Sequence, residues 1–170
     1  MRFTDAHSTS SVCTPTRYSI LTGRYNWRSP LKRSVLLGLD QPLSPEERLT
    51  VAGLLQQQGY RTGIVGKWHL GLGWQKLPDG RKREAVEGAT RGDGWDIDYS
   101  KQVAGGPLAL GFDESFIISA SLDMAPYVYL KNDRPNRIPT VTKGWLRSGP
   151  AAEDFEAINC LRDFAWEARI

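Results

Sequence analysis

The residues best suited to chemistry fall in two short segments. The first is Ser11-Val12-Cys13-Thr14-Pro15-Thr16-Arg17, which runs on to Leu21-Thr22-Gly23-Arg24. Proline suits the first turn of a helix and glycine the position just past its end, so Thr14 to Thr22 reads as a helix opened by Pro15 and closed by Gly23. Cys13 then stands at the helix mouth, where unpaired N–H groups and the positive end of the dipole favour negative charge. A thiol there ionises more easily than a free one, and an oxyanion is stabilised. Arg17 follows about one turn later and can fold its guanidinium back toward the same point. The segment suits nucleophilic chemistry at an anion. It suits equally a packed cysteine beside a salt-bridging arginine.

The second segment is Gly59-Tyr60-Arg61-Thr62-Gly63-Ile64-Val65-Gly66-Lys67-Trp68-His69-Leu70-Gly71. Lys67 and His69 are alternate residues, so an extended backbone turns both to one face and Trp68 to the other. A lysine and a histidine converging beyond a strand's carboxyl end can hold an anion and move a proton. A structural histidine is the plainer alternative. A phosphate-binding P-loop is excluded, because Arg61 stands where its first glycine belongs and Trp68 where its Ser or Thr belongs. His7, upstream of Cys13, reads as structural.

These segments need elements to position them, and the pattern around them is that of an α/β layer architecture. Arg2-Phe3-Thr4 is a short strand candidate. Thr50 can cap a second helix, with Val51, Leu54 and Leu55 on one face and Gly59 at its end. Thr62 to Val65, Phe116 to Ile118 and Tyr127 to Leu130 read as strands, the last followed by an Asn132-Asp133 turn. Gln75 to Gly94 is charged and punctuated by glycine, so it reads as a surface loop. Glu153 to Ile170 reads as an amphipathic helix with Phe155, Ile158, Leu161, Ala165 and Ala168 as its apolar stripe, and Cys160 packed near it. Such a helix needs a layer to cover, and the chain is expected to be a piece of a longer one.

The bulk figures exclude several classes. The 170 residues carry 22 basic and 19 acidic side chains, a net charge of +3, with 40% hydrophobic and 24% charged residues. That is the balance of a folded domain, not of a disordered tail, a collagen-like chain or a coiled coil. No apolar run reaches the ~18 residues that a membrane span requires. Two cysteines make no disulfide framework; Cys13–Cys160 is the one intramolecular pairing open to them. Met1 leads into Arg2-Phe3-Thr4-Asp5 with no basic-plus-apolar leader. No acidic residue occurs from Ala6 to Leu39 or from Arg48 to Pro78, yet both windows hold arginines and lysines. This favours an anionic ligand or a solvated basic face. Nucleic acid is disfavoured, since no helix-turn-helix, zinc-finger or RNA-binding aromatic signature accompanies the charge.

Both chemical segments resemble signatures of the sulfatase family, the formylglycine-dependent sulfuric ester hydrolases. Cys13-Thr14-Pro15-Thr16-Arg17 with Leu21-Thr22-Gly23-Arg24 is similar to the first, and Gly59-Tyr60-x-Thr62 with Gly66-Lys67-Trp68-His69 to the second. Phe3 to Ser8, Gly111-Phe112-Asp113 and Ser121-Leu122-Asp123-Met124 also look familial. The resemblance covers nearly the whole chain and corresponds to the amino-terminal part of one sulfatase catalytic domain, over 1–170. It implies a partial alkaline-phosphatase-like fold, a mixed and mostly parallel sheet flanked by helices.

The resemblance also implies roles. Cys13 would be oxidised to formylglycine by a maturation enzyme, and the hydrated aldehyde would attack the sulfur of a sulfate ester with one hydroxyl and release sulfate through the other. Arg17 would hold that group, Lys67 would contact sulfate, and His69 would take a proton. Asp123, with Met124 and Tyr127, would line the substrate pocket. Family members bind calcium through carboxylate and amide oxygens and formylglycine, so Cys13 is the expected metal contact here. The family's other ligands have no counterpart in this chain; Asp5, Asp113 and Asp123 do not replace them, and the chain by itself is expected to lack useful activity. A truncated remnant that only binds anions is the competing expectation, and a related phospho- or phosphonate hydrolase is disfavoured by the intact cysteine signature. Members are mostly periplasmic, secreted or lysosomal.

Overall fold

Two parallel strands carry the second segment. Strand β1 (Gly63–Lys67) pairs in register with β2 (Glu114–Ile118), from Gly63 opposite Glu114 to Lys67 opposite Ile118. The computed structural model describes residues 2–78, 94–144 and 146–169. The main chain keeps this pairing past the strand end, since Trp68 N–H donates to the Ile118 carbonyl and His69 N–H to that of Ser119. β2 continues antiparallel into β3 (Tyr129–Lys131), which turns back through Asn132, at φ 59°, into β4 (Arg134–Pro135). The four-stranded sheet runs in the order β1-β2-β3-β4. It is mixed, as expected, but with one parallel and two antiparallel pairings rather than a parallel majority. Short Asn-Asp turns join neighbours antiparallel, while parallel strands need long crossovers. A separate ribbon pairs β5 (Val141–Lys143) with β6 (Gly149–Ala151).

Helix α1 (Cys13–Thr22) forms where the sequence places it, and Gly23 closes it in the left-handed region at φ 66°. Helix α2 (Val51–Gln57) is capped by Thr50, whose Oγ1 accepts from Gly53 N–H and donates to the Leu110 carbonyl. The expected apolar face is not buried among the described residues: Val51, Leu54 and Leu55 are exposed, and Ala52 is the residue that packs.

Two other expectations change. Residues 2–4 form no strand, because nothing among the described residues pairs with them, and Phe3 is exposed. The carboxyl-terminal helix is shorter than expected: α3 spans Cys160–Glu167, after a 3-10 turn at Ala157–Asn159. Phe155 is drawn into the core against Tyr127 and Tyr129, which breaks the start of the expected helix. Cys160 is buried and Phe164, one turn on, is partly buried against the core, while Ile158 and Leu161 are 90% and 81% exposed. Phe116, Tyr129 and Phe164 make the ring contacts that seat α3 on the sheet. Both cysteines are free. Cys160 is the packed thiol expected, lying 3.2 Å from the Tyr129 hydroxyl. Of the expected surface loop, 79–93 lies outside the described residues; Lys76 bridges to Ile97.

Candidate active site

Cys13 opens α1, and Val12 before it offers no side-chain cap to the first turn. The thiol is half-buried at the unpaired end of the helix, where the dipole and free N–H groups favour an anion. Thr14, fully buried, ties this mouth to the end of β1. Its hydroxyl donates to the His69 carbonyl at 3.0 Å and accepts from Leu36 N–H at 3.2 Å.

Arg17 makes the second tie. Its Nε donates to the Trp68 carbonyl at 2.7 Å, and Nη2 donates to the Lys67 carbonyl. The guanidinium thereby satisfies two carbonyls at the strand exit while its charge sits beside Cys13. Burial draws its pKa down, and the nearby Cys13 opposes that.

Lys67 ends β1 and donates from Nζ to Ser121 Oγ at 2.8 Å. His69 does not continue the strand: its φ is 57°, a left-handed conformation that costs a non-glycine residue roughly 1–2 kcal/mol. The simple alternation of Lys67 and His69 on one extended face is therefore corrected. The backbone turns at His69, and its ring enters the interior with no exposed surface. Trp68 lies on the core side, edge-on to Phe112.

The His69 ring has a defined tautomer. Nε2 is 2.6 Å from the Leu36 carbonyl, which can only accept, so Nε2 carries the hydrogen. Burial lowers the His69 pKa; the Leu36 carbonyl opposes this, Lys67 and Arg17 add to it, and Asp123 opposes it again. The ring is thus neutral near pH 7, and Nδ1 presents a lone pair. That atom is buried and has no hydrogen-bond partner among the described residues. An unpaired base nitrogen within the field of two cations is suited to take a proton from an incoming hydroxyl.

Asp123 is close enough to influence His69, but its carboxylate is held by Arg147. His7 is exposed and paired with Asp5, away from these contacts. Thr14, Leu36 and Ser121 belong to the arrangement and were not singled out from sequence for these roles. Thr14 and Ser121 each lie inside a segment that was, and Leu36 contributes only its main chain, which no side-chain pattern reveals.

A divalent cation fits these residues poorly. The charged or basic side chains are a guanidinium beside Cys13 and an ammonium and an imidazole at the end of β1, and Asp123 is occupied by Arg147. Among the described residues no group of three or more His, Cys, Asp or Glu side chains could hold a metal. Nor is any described helix long and apolar enough to cross a membrane.

The chain is similar to known proteins over most of its length. The family model described as Sulfatase matches residues 1–135. N-acetylgalactosamine-6-O-sulfatase of Bacteroides thetaiotaomicron is 33% identical over 132 residues, covering 78% of this chain and 22% of that protein. Human arylsulfatase G is 48% identical over 71 residues, 42% of this chain and 13% of its own length. Human arylsulfatase A is 45% identical over 73 residues, 43% and 14% respectively. A solved structure, described under the metabolism of multiple glycosaminoglycans by Bacteroides thetaiotaomicron, superposes with a TM-score of 0.58 at 32% identity, covering 75% of this chain and 22% of that one. The chain thus spans less than a quarter of the length of these relatives, and its mixed α/β fold is that of a partial alkaline-phosphatase-like domain. Since the family model covers residues 1–135, the greater part of the chain, the chain belongs to the sulfatase family.

Proposed function

We propose that this chain supplies the nucleophile and the anion cradle of a sulfuric ester hydrolase. The observation that supports this most is the double tie from Arg17 to the carbonyls of Lys67 and Trp68, which holds the mouth of α1 against the end of β1. Were residue 13 converted to formylglycine by a separate formylglycine-generating enzyme, one hydroxyl of the hydrated aldehyde would attack sulfur and expel the alcohol. Loss of the proton from the other would re-form the aldehyde and break the C–O bond to sulfate, releasing it. The helix mouth and Arg17 hold negative charge at residue 13. Lys67 Nζ, restrained by Ser121, stabilises charge growing on the sulfate oxygens. His69 Nδ1 accepts the proton given up at residue 13, and the Leu36 carbonyl keeps the ring in the tautomer that makes this possible. Asp123 is assigned to the wall of the substrate pocket.

No step above is routed through calcium, which the described residues fit poorly. A sugar sulfate is favoured as substrate, because the relative named above with the longest overlap is named for one.

The test is intact mass of the residue-13 peptide after co-expression with the maturation enzyme, followed by turnover of an aryl sulfate and an aryl phosphate by the protein carrying the converted residue. Conversion at Cys13 is the expected result, with turnover of the sulfate ester by a protein of its relatives' length and little or none by these 170 residues alone. An unmodified thiol in the native source overturns the reading.

A further inference from the structure

The turn that restrains Lys67 is itself held from outside. Residues 121–124 close on themselves, with Met124 N–H donating to the Ser121 carbonyl at 2.9 Å. At one end of this turn Ser121 Oγ accepts from the Lys67 ammonium, and two residues on Asp123 Oδ2 accepts from Arg147 Nη1. A lysine side chain has many rotamers, and a hydroxyl confines it only as firmly as the hydroxyl's own main chain is confined. What fixes the turn therefore matters to Lys67.

Arg147 comes from the connection between β5 and β6, and several contacts hold that ribbon in place. Tyr127 N–H donates to the Pro150 carbonyl at 2.8 Å, and Ala152 N–H donates back to the Tyr127 carbonyl at 3.0 Å. The hydroxyl of the same tyrosine reaches the end of the ribbon, where it donates to the Arg147 carbonyl. Gly144 makes that approach possible. It stands at φ 111°, and a Cβ there would lie 2.4 Å from the Arg147 carbonyl oxygen and 2.6 Å from the Tyr127 hydroxyl. Lys143 Nζ donates to the carbonyls of Glu153 and Phe155 at 2.7 and 2.8 Å, which ties β5 to the chain that follows β6.

The main chain of Arg147 is thus anchored, and its side chain extends from that anchor to Asp123. The ribbon lies beyond residues 1–135, the span that the sulfatase model matches, so its contribution to the site is separate from the two signature segments. The ion pair is partly open to solvent, with side-chain exposures of 30% for Asp123 and 49% for Arg147. Pairs this open add little to overall stability. Breaking it should loosen the turn and leave the rest of the fold alone.

We propose that Arg147 is a positioning residue for Lys67: it clasps Asp123, the clasp fixes the 121–124 turn, and the fixed turn keeps Ser121 Oγ on the Lys67 ammonium. This rests on the functional reading above only for what Lys67 then does to a substrate.

The test is a double-mutant cycle between Arg147→Ala and Ser121→Ala in the full-length protein. Lys67 is followed by trace acetylation with acetic anhydride, read peptide by peptide by mass spectrometry, with the exposed Lys101 as internal standard. A lysine released from its acceptor reacts faster. Arg147→Ala is expected to raise Lys67 labelling roughly fivefold, the weight of one hydrogen bond, at an unchanged melting temperature. Ser121→Ala gives at least as large a rise, and adding Arg147→Ala to it changes nothing further, because the contact through which Arg147 acts is already gone. Arg147→Lys, which can still meet Asp123, restores part of the restraint. The kcat for an aryl sulfate falls along the same cycle. Lys67 labelled at the parent rate in Arg147→Ala overturns the proposal, and so do effects of the two substitutions that simply add. The expected labelling in a protein that turns over no sulfate ester keeps Arg147 in this role and overturns the functional reading. Turnover with neither labelling nor kcat changed in Arg147→Ala does the reverse, so the two failures are distinguishable.

Discussion

Arg17 Nε donates to the main-chain carbonyl of Trp68 across 2.7 Å. An arginine that sequence spacing associates with Cys13 is thus also a strut between a helix and a strand. Its charge and its geometry serve different ends: the charge favours an anion at the helix mouth, while the donors fix where that mouth sits. Lysine keeps the first and loses the second.

Arg17→Lys should therefore lower stability by about 2 kcal/mol, the scale of hydrogen bonds made by a charged donor. Chemical denaturation of the two proteins measures it. A variant as stable as the parent would show that the strut carries nothing.

The depressed pKa of His69 predicts a pH dependence with a definite sign. Its ordinary value is 6.5, and the folded value lies below it. As pH falls through that range the unfolded chain takes up the proton first. The stability contributed by the neutral ring is complete above about pH 6.5 and is lost as pH falls toward the folded value. Melting temperature should drop on this acid side, and His69→Gln should flatten the drop. An equal slope in both proteins would remove His69 as its source. Turnover that depends on Nδ1 as base should likewise persist below the usual histidine range.

Ser121 restrains the Lys67 ammonium at 2.8 Å and is read as a positioning residue. In the full-length protein Ser121→Ala should reduce kcat roughly tenfold with a smaller change in KM, and Ser121→Thr should restore part of it. Loss confined to melting temperature would assign Ser121 a structural role instead.

Asp123→Ala tests the pocket wall. In the full-length protein an increase in KM for the sulfate ester is expected, because the pocket wall loses its carboxylate contact and the anchor that holds Arg147 in place. An unchanged KM removes Asp123 from the substrate contacts.

The parts of this architecture that depend on local sequence were legible in advance. Pro15 and Gly23 bracket α1, Thr50 caps α2, and the apolar runs at Ile64 and Phe116 are strands. Cys13, Arg17, Lys67 and His69 were legible as chemistry because each type is reactive or cationic at an informative spacing. The docking of α1 on the end of β1 was not, since it depends on Arg17 and Thr14 reaching main-chain carbonyls some fifty residues away. The left-handed turn at His69 was hidden for a related reason: a positive φ at histidine is imposed by tertiary contacts and leaves no mark in composition. The phase of the last helix was misread because Phe155, the strongest apolar residue of the expected stripe, belongs to the aromatic cluster before the helix begins.

The unequal shelter of the two thiols has a practical consequence. Cys160 is buried, and burial raises its pKa, whereas Cys13 is partly open at its helix end. A maleimide applied to the native protein should alkylate residue 13 alone, and only where it is still a thiol. Labelling stoichiometry then counts the molecules that maturation has missed, turning the silent cysteine into an internal reference that reacts only after denaturation.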